Sequence, residues 1–298
     1  MEITATQKLA YPDIRDALEL FVGAGLDPDL VDKMRKSKDN ALARKMIGVG
    51  RVGYESLDER FARRIMGGNF FGRDEWSDPS TYGVSFNSKQ SRVVAKFPWS
   101  EAMLDSECEK VPGKSVAEAC FAFLGLDKYN GVIIGAQSEK LDGTEAHGSL
   151  TIMGWQKIHP AGGQPCFYIY GTDCWYPNED FATKPTSVCE FRWYLALKEV
   201  VPGSPSTSWE NMQGMVPDEY FVPSPVMELT KDFLYYQKFK AYPNRNVYAA
   251  TDTLDSLGVR VIVGDCDGET VDVDYWSGDA LGDVGLPLFR KSPRSLCS

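Results

Sequence analysis

The sequence predicts an α+β fold of short strands and much loop, preceded by a small helical region, and three observations carry that prediction. Apolar residues recur at helical spacing through roughly the first seventy positions. From Asn69 onward, short β-prone runs alternate with Gly, Asn, Asp and Pro. Near the C-terminus, two period-two segments flank a connector that ends in Asp-Gly, a strong turn signal.

The elements follow in order. Ile14, Leu18, Phe21 and Val22 form a helical stripe that stops at Gly23 and Gly25. Asp27 before Pro28 is a cap ahead of a first-turn proline and opens a second helix to Lys36. Asp39 caps a third helix ending at Gly48, and Ser56 with Glu59 has capping-box spacing before Phe61, Ile65 and Met66. These short stripes require a larger body to pack on. Residues 1–68 are therefore a helical region on a main domain, 69–298.

In the main domain, residues 84–86 and 92–97 read as strands. Ser115 and Glu118 form another capping box, opening a buried helix through Val116, Ala119, Cys120, Phe123 and Leu124 to Gly125. Residues 131–135, 150–153 and 166–170 are short strands between turn residues. Residues 189–197 read as a core strand, with a helix as the alternative, and 202–208 as a surface loop. Ser224-Pro225 repeats the cap-plus-proline signal and starts a helix carrying Val226, Leu229, Phe233, Leu234 and Tyr236, which ends near Pro243.

In the C-terminal pair, Val259, Val261 and Val263 alternate with Arg260 and Ile262, while Val271, Val273 and Tyr275 alternate with Asp272, Asp274 and Trp276. One face of this hairpin is apolar. The other presents Arg260, Ile262, Asp272, Asp274 and Trp276, a mixed row that no packing rule requires.

Composition narrows the function. With 298 residues, 43% hydrophobic, 12% aromatic and 25% charged, the chain has the make-up of a globular protein with a large core. A net charge of -10 argues against a nucleic-acid partner and disfavours anionic membranes. No stretch reaches the ~18 apolar residues of a membrane span, and the N-terminus shows no secretory signal. The cytoplasm is the default compartment, with surface or extracellular display left open. The 7 cysteines are an odd and scattered set, read as reduced thiols.

Several chemical motifs compete with plainer readings. Gly48, Gly50 and Gly53 match a dinucleotide-loop spacing, and Asp74 lies at the distance of a ribose-binding acid, but the motif follows a helix where a strand is required. Asp265, Asp267 and Glu269 alternate like calcium ligands, yet the glycine comes too early and Trp276 occupies the bidentate-acid position. A hairpin turn with solvated acids is the simpler reading, and a weak non-EF calcium site stays open. His147 and His159 lie near Cys166 and Cys174 in sequence, without the spacing of a zinc site or a defined catalytic pair. No cofactor or metal is expected from these patterns.

The order of strand, loop, hairpin, polar loop and closing Gly285-Leu-Pro-Leu-Phe-Arg290 resembles the C-terminal part of a C-type-lectin fold of the formylglycine-generating-enzyme subtype. More narrowly, it is similar to the variable proteins of diversity-generating retroelements. The resemblance covers the last third of the chain. It implies a C-type-lectin-like domain of short twisted antiparallel strands, a variable region at 246–290, and a ligand-binding surface for a macromolecular partner, a protein first of all. The cysteine-dependent oxidase of that subtype is not implied, because its paired catalytic cysteines have no counterparts here. Nor is calcium-dependent sugar binding, since Tyr176-Pro-Asn178 lacks the acid that would precede it.

By the same resemblance, the ligand-binding positions are Tyr248, Ala249, Leu257, Ile262, Asp272, Asp274, Tyr275, Trp276, Ser277, Asp279, Leu281 and Asp283. Strand parity places Tyr275 inside. Tyr and Trp supply contact area at low entropic cost, and Asp and Ser adaptable hydrogen bonds. Two other classes remain beside the non-enzymatic binder: an enzyme of a related α+β fold using Cys and His, and a structural subunit of a phage or other assembly.

Overall fold

An apolar run such as Cys120–Leu124 or Trp193–Leu197 can be buried on both sides only at the centre of a covered sheet, and that is where both lie. The computed structural model describes residues 57–130, 148–159, 164–169, 174–264 and 270–293, all within one compact unit, Leu57–Arg294. Its elements are β1 (Leu57–Asp58), α1 (Glu59–Met66), β2 (Phe70–Phe71), α2 (Arg73–Ser77), α3 (Ser88–Val94), β3 (Lys96–Phe97) and α4 (Glu101–Asp105). Then come α5 (Val116–Ala119), β4 (Cys120–Leu124), α6 (Ile152–Ile158), α7 (Asp180–Thr183), β5 (Trp193–Leu197), α8 (Trp209–Gly214) and β6 (Tyr220–Phe221). The chain continues as α9 (Pro225–Phe239), β7 (Tyr248–Leu254), β8 (Arg260–Gly264), β9 (Asp272–Trp276), β10 (Val284–Gly285) and β11 (Phe289–Arg290).

The fold is α+β. A five-stranded sheet has the order β2-β4-β5-β11-β6, a four-stranded sheet the order β10-β7-β8-β9, and β1 pairs with β3. Only β2–β4 and β10–β7 run parallel; the other strand pairs of these sheets are antiparallel. The chain leaves the larger sheet after β6, builds α9 and the smaller sheet, and returns as β11 between β5 and β6. Helix α9 packs against β2 and β4 on one side and β7 and β8 on the other. It is therefore the element that joins the two sheets.

Helix α9 begins at Pro225 as the cap-plus-proline signal predicts, buries Val226, Leu229, Phe233 and Leu234, and closes on Lys240 in a left-handed conformation. Tyr236 lies only partly inside. Strand β5 confirms the strand reading of 189–197 over a shorter range. The buried indoles are hydrogen-bonded, as desolvated N–H groups require: Trp76 Nε1 donates to Leu124 O at 2.8 Å, Trp193 to Val94 O at 3.0 Å and Trp155 to Thr230 Oγ1 at 3.0 Å.

Other expectations are corrected. The capping box at 115–118 forms, but its helix lasts one turn and Cys120 already belongs to β4. The apolar spacing of Cys120, Phe123 and Leu124 reflects a strand covered on both faces, not a helical stripe. Residues 92–97 divide between α3 and β3, because Asn87 and Gln90 cap each other's backbone N–H at 2.9 and 3.0 Å and start a helix there. No strand forms at 84–86, where the Val84 N–H bonds Trp76 O and the Ser85 carbonyl accepts from Asn130 Nδ2. At 150–153 a helix replaces the strand, opened by Thr151, whose hydroxyl accepts from Gly154 N at 3.1 Å. Only a single bridge, Phe167 to Val271, forms in 166–170 among the described residues.

At 57–66 the cap is Asp58, whose side chain accepts from Arg60 N at 2.9 Å. Helix α1 packs on α4, α5, β1 and β3, so residues 57–68 lie in the same compact unit as the rest of the described chain. The expected helices at 12–22, 27–36 and 39–48, the glycine motif at 48–53 and the strand at 131–135 lie outside the described residues. Asp74, once a candidate ribose ligand, is largely exposed and sits 3.2 Å from Arg63. Among the described residues, no helix is long and apolar enough to cross a membrane.

Candidate binding cleft on the C-terminal sheet

The predicted C-terminal pair forms, with β8 and β9 antiparallel and Val263 opposite Val273, Ile262 opposite Asp274 and Arg260 opposite Trp276. The connector with Asp265, Asp267 and Glu269 lies outside the described residues. The β7–β8 turn is tight: Asp255 N bonds Val259 O at 2.7 Å, and Gly258 takes φ 81. On one face, Ala249, Val261, Val263, Val271 and Val273 are buried. On the other stand Tyr248, Ile262, Asp272, Asp274 and Trp276, as the alternation predicts.

Burial departs from that alternation in two places. Trp276 and Ile262 belong to the mixed face yet are buried, at 2% and 3% exposure. Trp209 of α8 lies on this side: its ring is 3.6 Å from the guanidinium of Arg260, the residue opposite Trp276, its backbone N–H donates to Gly278 O, and the Trp276 indole donates to Asp279 O. Tyr275 is on the core face, as parity demands, but the core ends before it and it is 59% exposed. Ala249 is fully buried beneath the ladder. Ala249, Ile262 and Trp276 are therefore removed from the ligand-binding set.

The remaining positions are accessible to differing degrees. Tyr248, Asp272 and Asp274 are half-buried; Leu257, Tyr275, Ser277, Asp279, Leu281 and Asp283 are exposed. Asp272, Asp274 and Tyr275 meet at the edge of the sheet, since β9 is its last strand. Leu257 is instead at the tip of the β7–β8 turn, which Glu179 holds through Ser256 N at 2.9 Å.

Beside β9 is a cleft of ≈ 390 Å³ whose lining includes Tyr168, Trp175, Tyr176, Asp272 and Asp274. Trp175 Nε1 donates to Val273 O at 2.7 Å, and its ring meets Tyr275 edge-on at 5.6 Å and 89°. Tyr248 donates to Asp272 Oδ2 at 2.9 Å, and Asp274 Oδ1 accepts from Tyr275 N at 2.9 Å. The Tyr176 hydroxyl is buried with no hydrogen-bond partner stronger than the Cys174 thiol among the described residues, and burial raises its pKa far above the ordinary phenol value. A second cleft, of ≈ 450 Å³ near Pro225 and Asp252, is lined by none of the twelve predicted positions.

Sequence reasoning missed Tyr168, Trp175 and Tyr176 as site residues. The aromatic pair Trp175-Tyr176 in a stretch punctuated by Gly, Asp and Pro was a visible signal, but nothing in the sequence assigned it to β9. The histidine and cysteine readings gain no geometry here. His159 Nε2 lies 3.1 Å from the Tyr82 hydroxyl, its ring stacks on Trp155, and burial pushes its pKa down to about 3. His147 lies outside the described residues. Among the described residues, no three His, Cys, Asp or Glu side chains are placed to hold a metal ion.

No family model, curated protein or solved structure matches this chain. The site must be read from its own chemistry.

Proposed function

We propose that this protein is a non-enzymatic binder, a C-type-lectin-like scaffold that presents a diversified C-terminal surface to a macromolecular ligand, in the manner of diversity-generating-retroelement variable proteins. The observation that supports this most is the division of labour along β9. Val271 and Val273 are buried and the ladder to β8 is continuous, while Asp272, Asp274 and Tyr275 remain accessible and lead into the accessible segment 277–283. A strand built this way keeps its backbone when the outward side chains change. Exposed Tyr and Trp beside short acids and Ser also match the composition of adaptable binding surfaces.

Two measurements test this. Sequencing the flanking DNA is expected to find a reverse transcriptase and a near-copy of the segment encoding 246–290 that differs mainly at adenines; absence of both would remove the retroelement role. A displayed library randomised at Asp274, Tyr275, Ser277, Asp279, Leu281 and Asp283 is expected to stay folded in most members and to yield binders to unrelated proteins. If most members lose their resistance to protease, the accessible positions are structural and the binding function fails.

A further inference from the structure

We propose that the cleft beside β9 receives an arginine side chain of a polypeptide partner, an inference that rests on the binding function just proposed and adds the chemistry of what is bound. The Trp175 indole is anchored at Val273 O and braced edge-on by Tyr275. A ring already fixed in this way can meet a cation through its π-face without a further loss of rotamer freedom. Tyr168, 46% exposed, adds a second aromatic wall.

Asp272 and Asp274 occupy alternate positions of one strand, so they share a face about 7 Å apart along it. Both line the cleft, and none of the ion pairs among the described residues uses Asp274. Tyr176 also lines it, and its buried hydroxyl has no hydrogen-bond partner stronger than the neighbouring Cys174 thiol among the described residues. A buried polar atom left unmatched is unfavourable, and an incoming N–H donor would satisfy it.

Guanidinium suits this set better than the other common groups. Its five donors lie in a flat fork, so one edge can serve a carboxylate and a neutral oxygen while the face rests on an indole. Ammonium is a compact, strongly hydrated charge that stacks less well, and a neutral sugar leaves Asp274 without a counter-charge. The ≈ 390 Å³ volume also leaves room for residues flanking the arginine. A chain of net charge -10 draws a cationic partner toward it at low ionic strength.

The test uses the full chain and an acetylated, amidated pentapeptide with arginine between alanines, alongside the same peptide with citrulline, the neutral isostere. The indole N–H resonance of Trp175 is assigned by its disappearance in W175F. Titration with the arginine peptide is expected to shift it saturably, with affinity at least about tenfold weaker for citrulline and about tenfold weaker in D274N, the scale of one charge-assisted hydrogen bond. Equal affinity for the two peptides, an undiminished affinity in a folded D274N, or no saturable shift would each overturn the proposal. The citrulline comparison stands on the unaltered chain even if D274N does not fold. Should the randomised library still yield binders mapping to the cleft when the arginine peptide does not bind, the arginine inference falls and the binding function remains.

Discussion

The two large sheets of this protein place their aromatic residues in opposite settings. In β4 and β5 every side chain is buried, and aromatic rings face aromatic rings: Phe123 stacks on Tyr194 at 5.2 Å and meets Phe289 edge-on at 5.9 Å. At the edge of the smaller sheet, Trp175 and the β9 residue Tyr275 make the same kind of edge contact, but at the surface and beside two carboxylates. An aromatic pair in the first sheet is closed in by its neighbours. At the sheet edge it leaves apolar area uncovered, which is favourable only where something else covers it.

That contrast can be broken by one kind of substitution applied in both places. Phe123→Ala should cost about 3–5 kcal/mol, measured by chemical denaturation, because the cavity lies between two rings that have nowhere to move. A smaller loss, near that of a surface site, would mean that the larger sheet is not the rigid half. The next effect belongs to α9, which joins the halves. Lys231 is fully buried, pairs with Glu228 at 2.5 Å, and donates to Lys198 O at 3.2 Å. Lys231→Met leaves two acids buried without their cation and should cost about 3 kcal/mol, while replacing Glu228 and Lys231 together with Leu and Met should recover much of it.

The sequence disclosed the parts of this arrangement that depend on local chemistry. Ser224-Pro225 announced α9, and the alternation of Val261, Val263, Val271 and Val273 announced β8 and β9 with the correct inward set. It failed where long-range packing decides the outcome. Cys120, Phe123 and Leu124 have helical spacing, yet neighbours 52 to 77 positions away turn that run into a central strand. Trp276 is on the outward face by parity, yet it is buried, opposite an Arg260 that stacks on the distant Trp209. For the same reason, half of the cleft was illegible: Trp175 reaches Val273 across 98 positions, a separation at which no sequence period operates.

Two predictions sharpen the comparison through backbone and charge. Gly264 ends β8 at φ 138, and a Cβ there would lie 2.6 Å from Val247 O. Gly264→Ala should therefore cost about 1–3 kcal/mol and displace the β8–β9 pair while sparing the larger sheet, which amide exchange resolved by residue would show. The pH dependence concerns Asp232. Its carboxylate is buried, with only a long 3.5 Å approach to Lys231 Nζ to offset the burial, and desolvation is the main cause of a pKa raised to about 8. The folded state then holds a proton that the unfolded chain releases near pH 4, so this group's stabilisation is fully present below that pH. It is lost as pH rises toward about 8, at a rate approaching 1.4 kcal/mol per unit. D232N should flatten that fall; an unchanged slope in D232N would show that Asp232 is ionised throughout.

The smallest expected effect decides whether the edge of the sheet is dispensable to the fold. Tyr275 has its backbone in the ladder opposite Val261, but its ring is 59% exposed and touches mainly Trp175. Tyr275→Ser keeps the strand and removes only a surface edge contact, so stability should change by about 0.5 kcal/mol or less. Because Trp175 retains its bond to Val273 O, its indole N–H should stay protected from solvent exchange after its aromatic neighbour is removed. A loss above about 2 kcal/mol would place Tyr275 with the packed rings of the larger sheet, and a strand that depends on this exposed residue could not tolerate diversification there. If stability holds and only ligand affinity falls, the two sheets differ as their burial indicates: one maintains the fold, and the edge of the other is free to change.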